Sequence, residues 1–244
     1  MLGFIIIASI ITSLISLIGI FTLILNNTLT QKLLIFFIAL SAGIMMGATF
    51  FHLLPEAFAK LPVKTVLFIT LMAFILFLLI EKLLHWRHCH DGVCDHHNTL
   101  GYMNLIGDGV HNLIDGLIIA GAFLTDIKLG TIITLGVVLH EIPQELSDFG
   151  VLIYSGFSKK RALLFNLFSG LTSVLGALIG YFASYYITDL SSFLLPLAAG
   201  GFLYISASDL IPEIREQTNL NRSRVAVATF LLGIFIAYGM IYLE

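Results

Sequence analysis

The 244 residues are 58% hydrophobic and only 11% charged, with a mean hydropathy of +1.00 and a net charge of -3, whereas a soluble domain is about a quarter charged. This balance excludes a soluble globular domain. The lack of a basic stripe with interleaved aromatics excludes a nucleic-acid partner. What remains is an all-α integral membrane protein built as a single transmembrane domain over residues 1–244.

A helix needs about 20 apolar residues to cross the hydrocarbon, and the sequence predicts eight such spans: 3–25, 33–58, 64–84, 100–124, 129–154, 161–187, 192–213 and 223–243. The opening run MLGFIIIASIITSLISLIGIFTLIL lacks a basic start and a small-residue cleavage site. It is also too long for the apolar segment of a signal peptide, so it reads as a retained first span. An even number of spans puts both termini on one side. Lys32, Lys82, Arg87, Lys159, Lys160, Arg161, Arg215, Arg222 and Arg224 flank the loops after odd-numbered spans, and only Lys60, Lys64 and Lys128 flank the others. Positive charge is retained on the cytoplasmic side, which predicts both termini outside a plasma (inner) membrane.

The second and seventh spans align without gaps, AGIMMGATFFHLLPEA from Ala42 on AGGFLYISASDLIPEI from Ala199. They insert in opposite directions, as expected of inverted repeats (spans 1–3 and 6–8) around a central pair formed by spans 4 and 5. His52 with Glu56, and Asp209 with Glu213, lie four apart at span ends beside Pro55 and Pro212, in keeping with a helix-terminus role or with a vestibule metal site. Gly43, Gly47, Gly170, Gly176 and Gly180 read as close helix packing. Asn166, Ser169 and Ser173 share one face of the sixth span, for interhelical hydrogen bonds or a place on a translocation path.

Between the third and fourth spans, HWRHCHDGVCDHHN at 85–98 gathers His, both cysteines of the chain (Cys89 and Cys94) and two Asp. The composition binds metal, but the spacing matches no closed zinc motif, so the loop is expected to be a cytoplasmic, low-specificity cation trap. Two thiols in such a loop argue for a reducing compartment rather than a disulfide framework.

The chemistry is concentrated in spans 4 and 5. Residues three and four apart share a helix face, so Asp108, His111, Asn112 and Asp115 form one stripe, and His140, Glu141, Gln144, Glu145 and Asp148 form another. Ionisable groups at membrane depth are costly unless they pair, bind a cation or line water, and imidazole with carboxylate suits zinc. The candidate ligands are His111, Asn112 and Asp115 on one helix and His140, Glu141, Gln144 and Glu145 on the other. Pro143 has no amide proton and pushes away the carbonyl four residues back, which frees the oxygen of Leu139 at membrane depth.

At these residues the sequence resembles the ZIP family of zinc and iron transporters, in HNLIDG (111–116), HEIPQELSDF (140–149) and the second-span HLLPEA (52–57). The resemblance covers all eight spans. It implies zinc uptake into the cytoplasm through His111, Asn112, Asp115, His140, Glu141 and Gln144, and leaves the preference among zinc, iron, manganese and cadmium open. It also implies a homodimer and an elevator-like movement. The sequence departs from the family at Gln144, where relatives often carry Glu or His, and in the sixth span, which has no acidic residue. Two other readings compete with transport. An intramembrane metalloprotease is suggested by HEIPQ but lacks the second His of HExxH, and a membrane metal sensor would bind without transporting.

Overall fold

The computed structural model describes residues 1–23, 27–86, 97–217 and 219–243. They fold almost entirely into helices: α1 (Leu2–Ile15), α2 (Asn27–Ala48), α3 (Leu54–Lys60), α4 (Val63–Trp86), α5 (His97–Thr125), α6 (Ile127–Tyr154), α7 (Lys159–Gly170), α8 (Thr172–Ala183), α9 (Leu190–Tyr204), α10 (Ile211–Arg215) and α11 (Leu220–Met240). A 3-10 segment, Ile18–Leu23, follows α1.

Seven stretches among the described residues are long and apolar enough to cross a membrane. The expected fifth span is not one of them. Helix α6 has 28 residues, ample length for a crossing at 1.5 Å per residue, but the polar run from His140 to Asp148 dilutes its hydropathy. Only its packing supplies the apolar surroundings that its sequence lacks. α6 lies against α5, α2, α1 and α7.

Helices α5 and α6 occupy the middle. On one side of them lie α1, α7 and α8, and on the other α2, α4 and α9, with α11 packed on α2. The α5–α8 contact is backbone against backbone. A methyl group added at Gly116 would collide with the carbonyl of Ser173, and one added at Gly176 with the carbonyl of Leu113. Small residues allow this approach where no water-driven force holds helices together. The sixth span is broken at Leu171, where the single proton of Thr172 Oγ1 has two carbonyls within reach, Ser169 O (2.7 Å) and, across, Gly109 O of α5 (2.6 Å).

The two spans that align in sequence share a local break. Each carries a π-helical turn just before its Leu-Pro or Ile-Pro step, at Thr49–Leu53 and at Ile205–Leu210. Pro55 and Pro212 cannot donate to the carbonyl four residues back. The ladder slips by one residue instead, so Leu54 N bonds Thr49 O and Ile211 N bonds Ser206 O, as π-bulges do.

His52 is buried and Glu56 is partly exposed. His52 Nε2 bonds Ala237 O at 2.8 Å, and Glu56 pairs with Lys60 at 3.3 Å. Asn166, Ser169 and Ser173 make interhelical hydrogen bonds to Glu145, Leu105 O and Thr12.

Gly116→Ala is expected to lower stability in detergent by ~1–3 kcal/mol, the usual cost of overpacking. Gly150→Ala, where a methyl group meets nothing within 4 Å, serves as the control. Thermal melts of the two variants read the difference, and equal melting temperatures would remove the α5–α8 contact as a constraint.

Candidate metal centre

α5 and α6 run in opposite directions, so residues late in one stripe face residues early in the other. His111 and Asp115 of α5 meet His140 and Glu141 of α6, and each offers one donor atom within 4.8 Å of the others. His140 Nε2 lies 3.1 Å from His111 Nε2, 3.1 Å from Asp115 Oδ2 and 3.3 Å from Glu141 Oε1. His111 Nε2 lies 3.5 Å from Glu141 Oε1 and 3.7 Å from Asp115 Oδ2. Four ligands held tetrahedrally at zinc's usual distance of about 2.0–2.1 Å stand about 3.3 Å apart. These separations scatter around that edge.

Hydrogen bonding accounts for the two imidazoles but not for the carboxylates. His140 Nδ1 lies 3.1 Å from the carbonyl of Gly136, and a carbonyl can only accept, so Nδ1 carries a proton, while Nε2 meets His111 Nε2. Both Nε2 nitrogens are packed against carboxylate oxygens, at 3.1–3.7 Å. All four oxygens of Asp115 and Glu141 are buried without a hydrogen-bond partner. Such an arrangement is stable only with a positive charge in its middle.

Aromatic rings wall the imidazoles. Phe77 of α4 meets His111 edge to face, with centroids 6.4 Å apart, and Phe202 of α9 meets His140 at 6.3 Å. Asp115, His140 and Glu141 are almost fully buried, His111 is the most open of the four at 15% side-chain exposure, and both histidines border the adjoining cavity. That cavity, of about 520 Å³, extends from His111 and His140 past Asp108, Gln144 and Asp148 to Asp209 and Glu213.

The other candidates sit beside this group rather than in it. Asn112 Nδ2 donates to Asp108 Oδ1 at 2.9 Å, and Gln144 Nε2 reaches the same oxygen at 3.4 Å. Glu145 turns away, its two oxygens accepting from Ser16 (2.7 Å) and Asn166. It joins Asp108 and Asp148 in a second group of carboxylates within 4.8 Å of one another. Sequence reasoning put Asp108 and Asp148 on the stripes but not among the ligands. The signal was their spacing, since Asp108 precedes Asn112 by four residues and Asp148 follows Gln144 by four.

Pro143 has the expected effect. The freed carbonyl of Leu139 accepts from Ser41 Oγ of α2 at 2.6 Å, which anchors the turn next to His140. The loop at 85–98 falls mostly outside the described residues, as do Cys89 and Cys94.

Fold and site define a class: a multi-pass helical membrane protein whose two central helices bury a cluster of side chains that could hold a metal ion. The family model described as ZIP Zinc transporter matches residues 2–98 and 85–241. The chain belongs to the ZIP zinc transporter family, which sets aside the metalloprotease reading. It is similar to the zinc transporter zipt-7.2 of Caenorhabditis elegans, with 38% identity over 141 residues, 56% of this chain and 30% of the relative. It is also similar to the uncharacterized zinc transporter P8A3.03 of Schizosaccharomyces pombe, with 36% identity over 171 residues, 64% of this chain and 38% of the relative. A third relative is the zinc transporter ZIP13 of Danio rerio, with 36% identity over 138 residues, 56% and 40% of the two chains. These matches span about a third of the relatives' own lengths.

Ser41→Ala should cost ~1–3 kcal/mol, the usual penalty for a buried acceptor left unpaired. Chemical or thermal unfolding in detergent measures it. No loss of stability would show that Leu139 O finds another donor.

Proposed function

We propose that this protein transports zinc across the membrane into the cytoplasm, and that the ion binds between α5 and α6. His111, Asp115, His140 and Glu141 are its ligands. Asn112 and Gln144 steady the site from its edge through Asp108, and Glu145 braces α6 against α1 and α7. The observation that carries this reading is the meeting of His111 and His140 with carboxylate oxygens of Asp115 and Glu141 that have no hydrogen-bond partner, 3.1 and 3.3 Å from His140 Nε2. Two imidazoles and two carboxylates form a borderline ligand set that favours zinc and admits iron, manganese or cadmium. The three relatives compared above carry zinc transporter in their names.

The remaining features of the reading follow from the charge pattern and the family. Eight spans, including α6, place both termini outside the plasma membrane, with spans 1–3 and 6–8 as inverted repeats. The π-helical turns shared by spans 2 and 7 support that pairing. The cavity leads from His111 toward the ends of α6 and α10, which the Lys and Arg count assigns to the cytoplasm. The loop at 85–98 begins on the same side and suits a receiving station for the ion. The bundle acts as a homodimer, and α1, α5, α6, α7 and α8 shift together against the other helices.

In zinc-loaded proteoliposome assays, His111→Ala, Asp115→Ala and His140→Ala should each reduce uptake to the level of empty liposomes, while eluting as monodisperse protein. Normal uptake by all three would place the site elsewhere. Zinc affinity should also fall on acidification, because imidazole and carboxylate coordinate only after losing their protons.

A further inference from the structure

We propose that Asp108 and Asp148, with Glu145, form a second divalent-cation site, built only of oxygen and distinct from the imidazole cluster. Its existence does not depend on the transport reading above, but its designation as the second site does. The antiparallel register of α5 and α6 creates it. Asp108 lies one turn before His111 and two before Asp115, while Glu145 and Asp148 lie one and two turns beyond Glu141. The two groups are therefore offset along the helices by on the order of 5–10 Å. Both border one cavity, which is lined by His111 and His140 at one end and by Asp108 and Asp148 further along.

Each carboxylate is held in place by neutral donors. Asp108 Oδ1 accepts from Asn112 at 2.9 Å and from Gln144 at 3.4 Å. Asp148 Oδ1 accepts from Asn104 at 3.0 Å. Glu145 accepts from Ser16 and Asn166. In both aspartates the second oxygen is left over. Asp108 Oδ2 and Asp148 Oδ2 are buried with no hydrogen-bond partner, although Asp108 is only 5% exposed.

Among the described residues no lysine or arginine forms an ion pair with any of the three, and the ion pairs within this central region are those of His111 and His140. Three converging carboxylates in an apolar bundle repel one another unless a cation lies between them. Asn112 adds an amide oxygen, Oδ1, that is also buried and unpaired, in a residue 1% exposed. An all-oxygen set of this kind favours harder divalent ions than the neighbouring imidazole cluster does, with manganese the natural probe.

The test uses the purified 244-residue chain in nanodiscs, titrated with Mn2+ and followed by loss of the free-ion EPR signal. The variant with both His111→Ala and His140→Ala should keep one bound Mn2+. The variant with both Asp108→Asn and Asp148→Asn should lose that ion, yet still bind Co2+ with the absorption of an imidazole-ligated centre. If the aspartate double variant aggregates, Asp148→Asn alone should weaken Mn2+ binding at least tenfold, and an unchanged affinity overturns the proposal. It is likewise overturned if the histidine variant binds no Mn2+, or if a folded aspartate variant binds it as the wild type does. In that case the carboxylates share protons instead. Failure of the imidazole site would appear separately, as Co2+ binding that is indifferent to His111 and His140.

Discussion

Burying two imidazoles against carboxylates inside an apolar bundle is the constraint on which the rest of the structure depends. His140 Nε2 lies 3.1 and 3.3 Å from carboxylate oxygens of Asp115 and Glu141, and none of the four oxygens of those residues has a hydrogen-bond partner. In hydrocarbon surroundings such a cluster is unfavourable without a cation. The surrounding helices hold it together all the same. Glycines bring α5 against α8 at backbone distance, and Phe77 and Phe202 close over the two rings.

Backbone polarity is managed with equal economy. A proline at membrane depth leaves a carbonyl exposed, and the bundle deals with this in two ways. At Pro143 a hydroxyl from another helix, that of Ser41, takes up the freed oxygen. At Pro55 and Pro212 the helix repairs itself by slipping into a π-helical turn. The first solution ties α2 to α6 beside His140. The second interrupts spans 2 and 7 at matching places in sequence, and in span 7 the interrupted turn carries Asp209, which lines the cavity.

Neutral side chains steady the charged ones throughout. Asn104, Asn112, Gln144, Asn166 and Ser16 each donate to a carboxylate. Amides and hydroxyls orient an oxygen without neutralising it, so the site keeps its negative potential for an arriving cation. Glu145 shows the cost of this arrangement. Its carboxylate joins α1, α6 and α7 through two hydrogen bonds, and it stands with Asp108 and Asp148 rather than with the histidines.

The sequence by itself determined the membrane class, the two polar stripes and the freed carbonyl at Leu139, because hydropathy, helical periodicity and the missing amide of proline are local properties. It also placed His111, Asp115, His140 and Glu141 among the candidate ligands, since the 3.6-residue repeat puts each pair on one face. It could not divide seven candidates into two groups. That division depends on the antiparallel register of α5 and α6, which sets Asp115 opposite His140 and Asp108 opposite Glu145 and Asp148, and register is fixed by contacts between distant residues. Tertiary packing alone decided that Glu145 turns toward Ser16 and Asn166, partners 129 and 21 residues away, because a side chain's direction across a bundle depends on which helices surround it.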